Sequence, residues 1–146
     1  MSDWQVNVVI VWGTVSLLFC IKGILESKDK RSAFGITPYL LPLGIFVWGD
    51  AVIFGLFWFV VSLMTLIVND WIFFLLIISI FWVVRSVGET VYWINQQFSI
   101  INRNPPEKFW FHKYFHNDSV WFIHQIIWQC VTVVSLVTTI YLAKAW

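Results

Sequence analysis

The sequence predicts an all-α fold, a bundle of four transmembrane helices with a short interfacial helix on the cytoplasmic side. Three observations lead there. Four long apolar segments fill most of the 146 residues. Charged residues make up 12% of the chain against about 25% in soluble domains, while 60% is hydrophobic and 20% aromatic. The ionisable residues that interrupt the apolar segments are few: Asp50, Arg85, Glu89 and His124. A span needs about 20 apolar residues, so four spans leave room for short connections only. Residues 1–146 are therefore read as one integral membrane domain, with spans at about 4–23, 44–68, 71–94 and 119–143.

The first span begins at Trp4 and ends at Lys22, each suited to an interface, and a charged connection with Glu26, Lys28, Asp29, Lys30 and Arg31 follows. Met1-Ser2-Asp3-Trp4 lacks the basic start of a secretory signal, so the first apolar run is read as a retained span. Thr37-Pro38 is a helix-start signal, threonine as N-cap and proline at the first helical position. A straight helix from there to Val68 would be roughly 46 Å long, beyond the roughly 30 Å hydrocarbon core. Pro42, Gly44 and Gly49-Asp50 offer breaks, so residues 38 to 48 are expected to form an interfacial or partly re-entrant segment. Asn69-Asp70 reads as a turn that makes a tight antiparallel hairpin of the second and third spans.

The third span starts at Trp71 and is apolar to Val84, after which Arg85, Ser86, Glu89, Tyr92, Asn95, Gln96 and Gln97 make its far end polar. Asn102 to Pro106 is a breaker cluster. A short interfacial helix from Pro106 through Asn117 would carry Phe109, Trp110, Phe111, Tyr114 and Phe115. Asp118-Ser119 can cap the fourth span, which ends near Lys144 and Trp146. Lysine and arginine gather in the first connection and in the third (Arg103, Lys108, Lys113), and the Asn69-Asp70 turn has neither. By the positive-inside rule both basic connections are cytoplasmic and both termini lie outside, in a plasma membrane.

Charge in a bilayer costs at least about 2.5 kcal/mol per residue, so each such group needs a partner, water or an interface. On the tight hairpin Asp50 and Glu89 come out level, about 29 Å from the outer turn, with Arg85 about 6 Å deeper. Arg85 and Glu89 share a face at the i, i+4 spacing and Tyr92 extends it. His124 and Gln125 fall near the same depth on the fourth span. These six residues are the candidate binding or proton-coupling site. Two readings stand side by side: an ion-pair cluster that locks the helices, or an arginine flanked by carboxylates that binds an anionic group, a lipid headgroup or a proton. A second stripe, Gln125, Gln129, Thr132, Ser135 and Thr139, lies mostly on one helical face and reads as interhelical packing, with a hydrated track as the other reading.

No metal site or cofactor is expected. His112 and His116 match ligand spacing weakly, no HExxH set is present, and a haem would need a second intramembrane histidine. Cys20 and Cys130 read as buried free thiols. Hydrolase and nucleotide-binding motifs are missing, so an enzyme is unmotivated, and no basic run suits nucleic acid. Two functional expectations follow. The first is a non-enzymatic interaction or accessory subunit, acting through helix packing and the aromatic segment on a membrane-protein partner or its own copies within the lipid bilayer. The second is a small oligomeric transporter or channel using the charged cluster, with the break near Gly49 as a discontinuous helix.

Overall fold

A computed structural model describes residues 1–100, 104–115 and 117–146. The chain is all-helical, with no strand among the described residues. Four helices are long and apolar enough to cross a membrane: α1 (Asp3–Glu26), α3 (Trp48–Val68), α4 (Trp71–Phe98) and α5 (Ser119–Ala145). A single-turn α2 (Lys30–Ala33) lies between the first two. These four helices stand where the spans were expected, each ending within a few residues of the sequence reading. The chain divides into two compact units, 1–77 with Trp146 and 78–145, so α4 contributes its first turns to one and the rest to the other.

In the first unit α1 and α3 run antiparallel at very close range. The buried residues of α1 are Val9, Gly13, Ser16, Cys20 and Gly23, a 4-3-4-3 row of mostly small side chains. On α3 the buried row is Ala51, Gly55, Trp58, Ser62 and Thr65, with Val61 beside it. A Cβ on Gly55 would lie 2.7 Å from the Ser16 carbonyl oxygen and 2.9 Å from the Cys20 Cβ; one on Gly23 would lie 2.9 Å from the Ala51 Cβ. Spacing of 3.5 residues keeps one face turned to the partner, and small residues let the backbones approach. The Cys20 thiol donates to the Val52 carbonyl at 3.3 Å. Ser62 and Thr65 turn their hydroxyls back onto their own helix, at the Trp58 and Val61 carbonyls, so the seam leaves neither of them seeking another partner. The sequence reading did not anticipate this close approach of the first and second spans.

Residues 35–48 form a closed loop. Trp48 N donates to Gly35 O (3.1 Å) and Thr37 N to Phe46 O (2.8 Å), around an antiparallel bridge of Ile36 with Val47. Pro38–Leu43 is a 3₁₀ segment, ended by Gly44 at φ 69, a left-handed turn that glycine takes without Cβ strain. Thr37 is the N-cap residue, as read, but its hydroxyl does not cap the segment; it crosses the loop to Ile45 O. Leu40, Leu43 and Ile45 are buried. The Trp58 indole donates to the Leu43 carbonyl at 2.8 Å, so the loop folds back along α3. Trp58 lies about 15 Å by helical rise from the start of α3 at Trp48. The break expected over residues 38 to 48 is present, and the segment folds back along the helix that follows. Between the loop and α1 an apolar cleft of about 490 Å³ is lined by Val8, Val11, Val15, Phe19, Leu40 and Leu43.

The turn between α3 and α4 has the chemistry read for it. Asn69 ends α3 in the left-handed region at φ 55, and the Asp70 carboxylate accepts from Ile72 N (2.8 Å) and Phe73 N (3.3 Å), satisfying free amides at the start of α4.

The helix expected through 106–117 is not continuous. Two short 3₁₀ turns, Pro106–Lys108 and Trp110–Lys113, are separated by Phe109 in an extended conformation at φ −101, ψ 141. Proline starts the first turn but its i→i+3 bonds end there, and Phe109 turns its ring to Trp93 (5.5 Å) and His124 (4.8 Å). Asn102, Arg103 and His116, which entered the sequence reading, lie outside the described residues.

Candidate functional site

Of the six candidate residues, Asp50 belongs to the first unit and Arg85, Glu89, Tyr92, His124 and Gln125 to the second. Asp50 sits in the first turn of α3, where its carboxylate accepts from Phe46 N at 3.1 Å. It fastens the return arm of the 35–48 loop to the helix that follows. A carboxylate in the first turn also suits the positive end of the helix dipole.

In the second unit the ion pair read from the i, i+4 spacing is present. Arg85 Nη2 lies 3.1 Å from Glu89 Oε1, and the side chains are 17% and 14% exposed. At that burial the pair is shielded but not sealed, so its strength falls between that of a surface bridge and a buried one. Tyr92 takes its phenol to Asn104, whose amide donates to it. The Trp121 indole donates to Asn104 O at 2.8 Å, so Asn104 ties the connection to both α4 and α5. Gln125 Oε1 accepts from Gln97 Nε2 at 2.8 Å. His124 stacks on Trp93 with ring centroids 4.5 Å apart, and its Nδ1 lies 2.8 Å from Val120 O on its own helix.

The hydroxyl stripe of α5 forms a ladder to α4. Thr132 Oγ1 donates to Ser86 Oγ at 2.8 Å, and Thr139 Oγ1 to Ser79 Oγ at 3.0 Å. With Gln125 these rungs recur every seventh residue on α5, and Ser79, Ser86 and Trp93 keep the same period on α4. Seven residues are close to two helical turns, so the rungs stay on one face. Trp82 and Trp128 stack between them, 6.3 Å apart and 13° from parallel.

Gln129 departs from the expected stripe. The partly covered row of α5 runs Trp121, Gln125, Trp128, Thr132, Ser135 and Thr139, whereas Gln129 is exposed. One residue beyond Trp128 is a rotation of about 100°, which carries the Gln129 side chain off the ladder. Cys130, read as buried, is exposed as well; Cys20 is buried.

Sequence reasoning named Ser86, Gln97 and Asn104 only as polar or breaker residues, and left out Trp93 and Phe109 as partners of His124. The seven-residue spacing of Ser79 and Ser86, matched by Thr132 and Thr139, was the signal that would have found two rungs of the ladder; Gln97, the partner of Gln125, falls outside it. Among the described residues no group of three or more His, Cys, Asp or Glu side chains could hold a metal ion. Compared with protein-family models, with curated proteins and with solved structures, the chain has no match.

Proposed function

We propose that this chain is a small multi-pass membrane protein that works by association, an interaction or accessory subunit rather than an enzyme. The basic residues of the first and third connections support an orientation with both termini outside, and a plasma membrane is the location we propose. The lengths and composition of four helices support the membrane reading. So do aromatic clusters at both ends of the first unit. Trp4 packs on Trp71 and Phe73 on Trp146 at one end, and Lys22 lies 4.7 Å over the Trp48 ring, itself near Tyr39, at the other.

The pairing of polar side chains with near neighbours carries the functional reading. Glu89 meets Arg85, Gln125 meets Gln97, and Thr132 and Thr139 meet serines of α4. The ion pair satisfies its charges within α4, whereas the other three hold α5 to α4, and each interhelical hydrogen bond of this kind is worth about 0.6 kcal/mol. Tyr114 and Phe115, exposed in the connection before α5, supply an aromatic surface for lipid or a partner. A transport role would instead require Asp50, Arg85, Glu89 and His124 to share one accessible space.

Gentle extraction from the native membrane followed by native mass spectrometry tests the proposal. A second protein in fixed ratio, or multiples of this chain, is the expected result. A lone chain that carries a proton flux in lipid vesicles, abolished by Asp50→Asn and Glu89→Gln, would replace it with the transport reading.

A further inference from the structure

Along the exposed side of α5 runs a row spaced 4-3-4-3-4: Phe122, Ile126, Gln129, Val133, Leu136 and Ile140. The apolar members are between 39% and 61% exposed. In its middle Gln129 is exposed, and no described residue hydrogen-bonds its side chain. It lies about 15 Å by helical rise from Ser119 and about 24 Å from Ala145, well inside a span-length helix. Valines and leucines facing lipid need no explanation, but an amide in hydrocarbon does, since it has donors and an acceptor and no water to meet them. The hydroxyl of Thr138, also exposed, bonds back to Val134 O and raises no such question.

We infer that this row is the interface through which two copies of the chain pair, with Gln129 of each hydrogen-bonded to Gln129 of the other. The inference deepens the association reading above and rests on it. Chemistry and geometry together select a second copy as the partner. Two copies inserted in one orientation hold their α5 helices parallel and bring Gln129 to the same depth. A carboxamide both donates and accepts, so two related by a twofold axis satisfy each other without a third group. The 3.5-residue spacing is that of a left-handed helix pair crossing at about 20°, and one polar residue within such an apolar row sets register and partner number. The adjacent exposed row, through Cys130, Val134 and Val137, carries no amide and faces lipid in the pair.

Disulfide mapping of the full chain in native membranes decides the matter. In a Cys130→Ala background, single substitutions Ile126→Cys, Val133→Cys and Leu136→Cys bring sulfurs within reach across the pair, where Cα atoms lie under about 7 Å. These should give a dimer on oxidation, and Val134→Cys and Val137→Cys should give little. In a resonance-energy-transfer titration in lipid vesicles, Gln129→Leu should weaken self-association about tenfold, and Gln129→Asn should restore part of it. Equal crosslinking on both rows, none on either, or a Gln129→Leu variant that associates as the wild type overturns the pairing. A foreign protein in fixed ratio with no crosslinked dimer overturns it too, yet leaves the accessory-subunit reading standing. A lone monomer in both experiments overturns the two together.

Discussion

Helices α1 and α5 carry the same hydrophobic spacing and meet opposite fates. The row Val9, Gly13, Ser16, Cys20 and Gly23 of α1 is small and is covered by α3 at backbone range. The row Phe122 to Ile140 of α5 is large and open, and Val120 at the start is the only buried residue of that helix among those described. Periodicity alone therefore says which residues share a face and not whether the face is filled. Side-chain size decides how near a partner comes, and a stranded polar group marks the face that still wants one.

The strongest way to break this contrast is to give α1 and α3 a large residue at their tightest point. Gly55→Leu has no space between the Ser16 carbonyl and Cys20, and should cost about 3 kcal/mol or more, read as loss of the folded form in a denaturant titration in detergent. Trp58→Phe keeps an aromatic side chain but removes the indole donor, leaving the buried Leu43 carbonyl unpaired and a small void beside it. It should cost about 1–3 kcal/mol and raise hydrogen exchange across 35–48 more than elsewhere. Asp50→Ala frees Phe46 N, at the part-buried foot of the same loop, and should lose about 1 kcal/mol, with Asp50→Asn recovering most of it; an equal loss in both would mean that charge rather than hydrogen bonding matters. On the ladder, a Ser86→Ala and Thr132→Ala double-mutant cycle should show coupling near 0.6 kcal/mol. Val134→Ala, on the open side of α5, should change stability by less than about 0.5 kcal/mol. A large effect there would show that this side is covered.

Local chemistry was legible in the sequence and distant pairing was not. Asn69-Asp70 announces its turn because the left-handed asparagine and the capping aspartate act within three residues. The Arg85–Glu89 pair follows from one helix's own geometry. Pro42 and Gly44 reveal a break, yet the fold-back of the 35–48 loop depends on Trp58, fifteen residues beyond the Leu43 carbonyl it meets and one aromatic among many. Gln125 was read by its depth, while its partner Gln97 depended on how two helices register. The aromatic connection misled because Pro106 signals a helix start and nothing nearby signals that Phe109 leaves it for Trp93 and His124. The small-residue row of α1 was legible too, since Gly13, Ser16, Cys20 and Gly23 recur on one helical face.

The seam between α1 and α3 also sets a clock. A ribosome extends a chain at about 5–20 residues per second, so Ser62 is made roughly 2–10 seconds after the Gly13 it will face. Through that interval the glycine row of α1 has no matching helix, and it is a surface on which any close-packing neighbour can settle first. Its fidelity during synthesis then rests on how fast α3 follows, which makes the length of the connection between them a kinetic parameter: lengthening that connection delays the partner without altering a single contact of the finished seam.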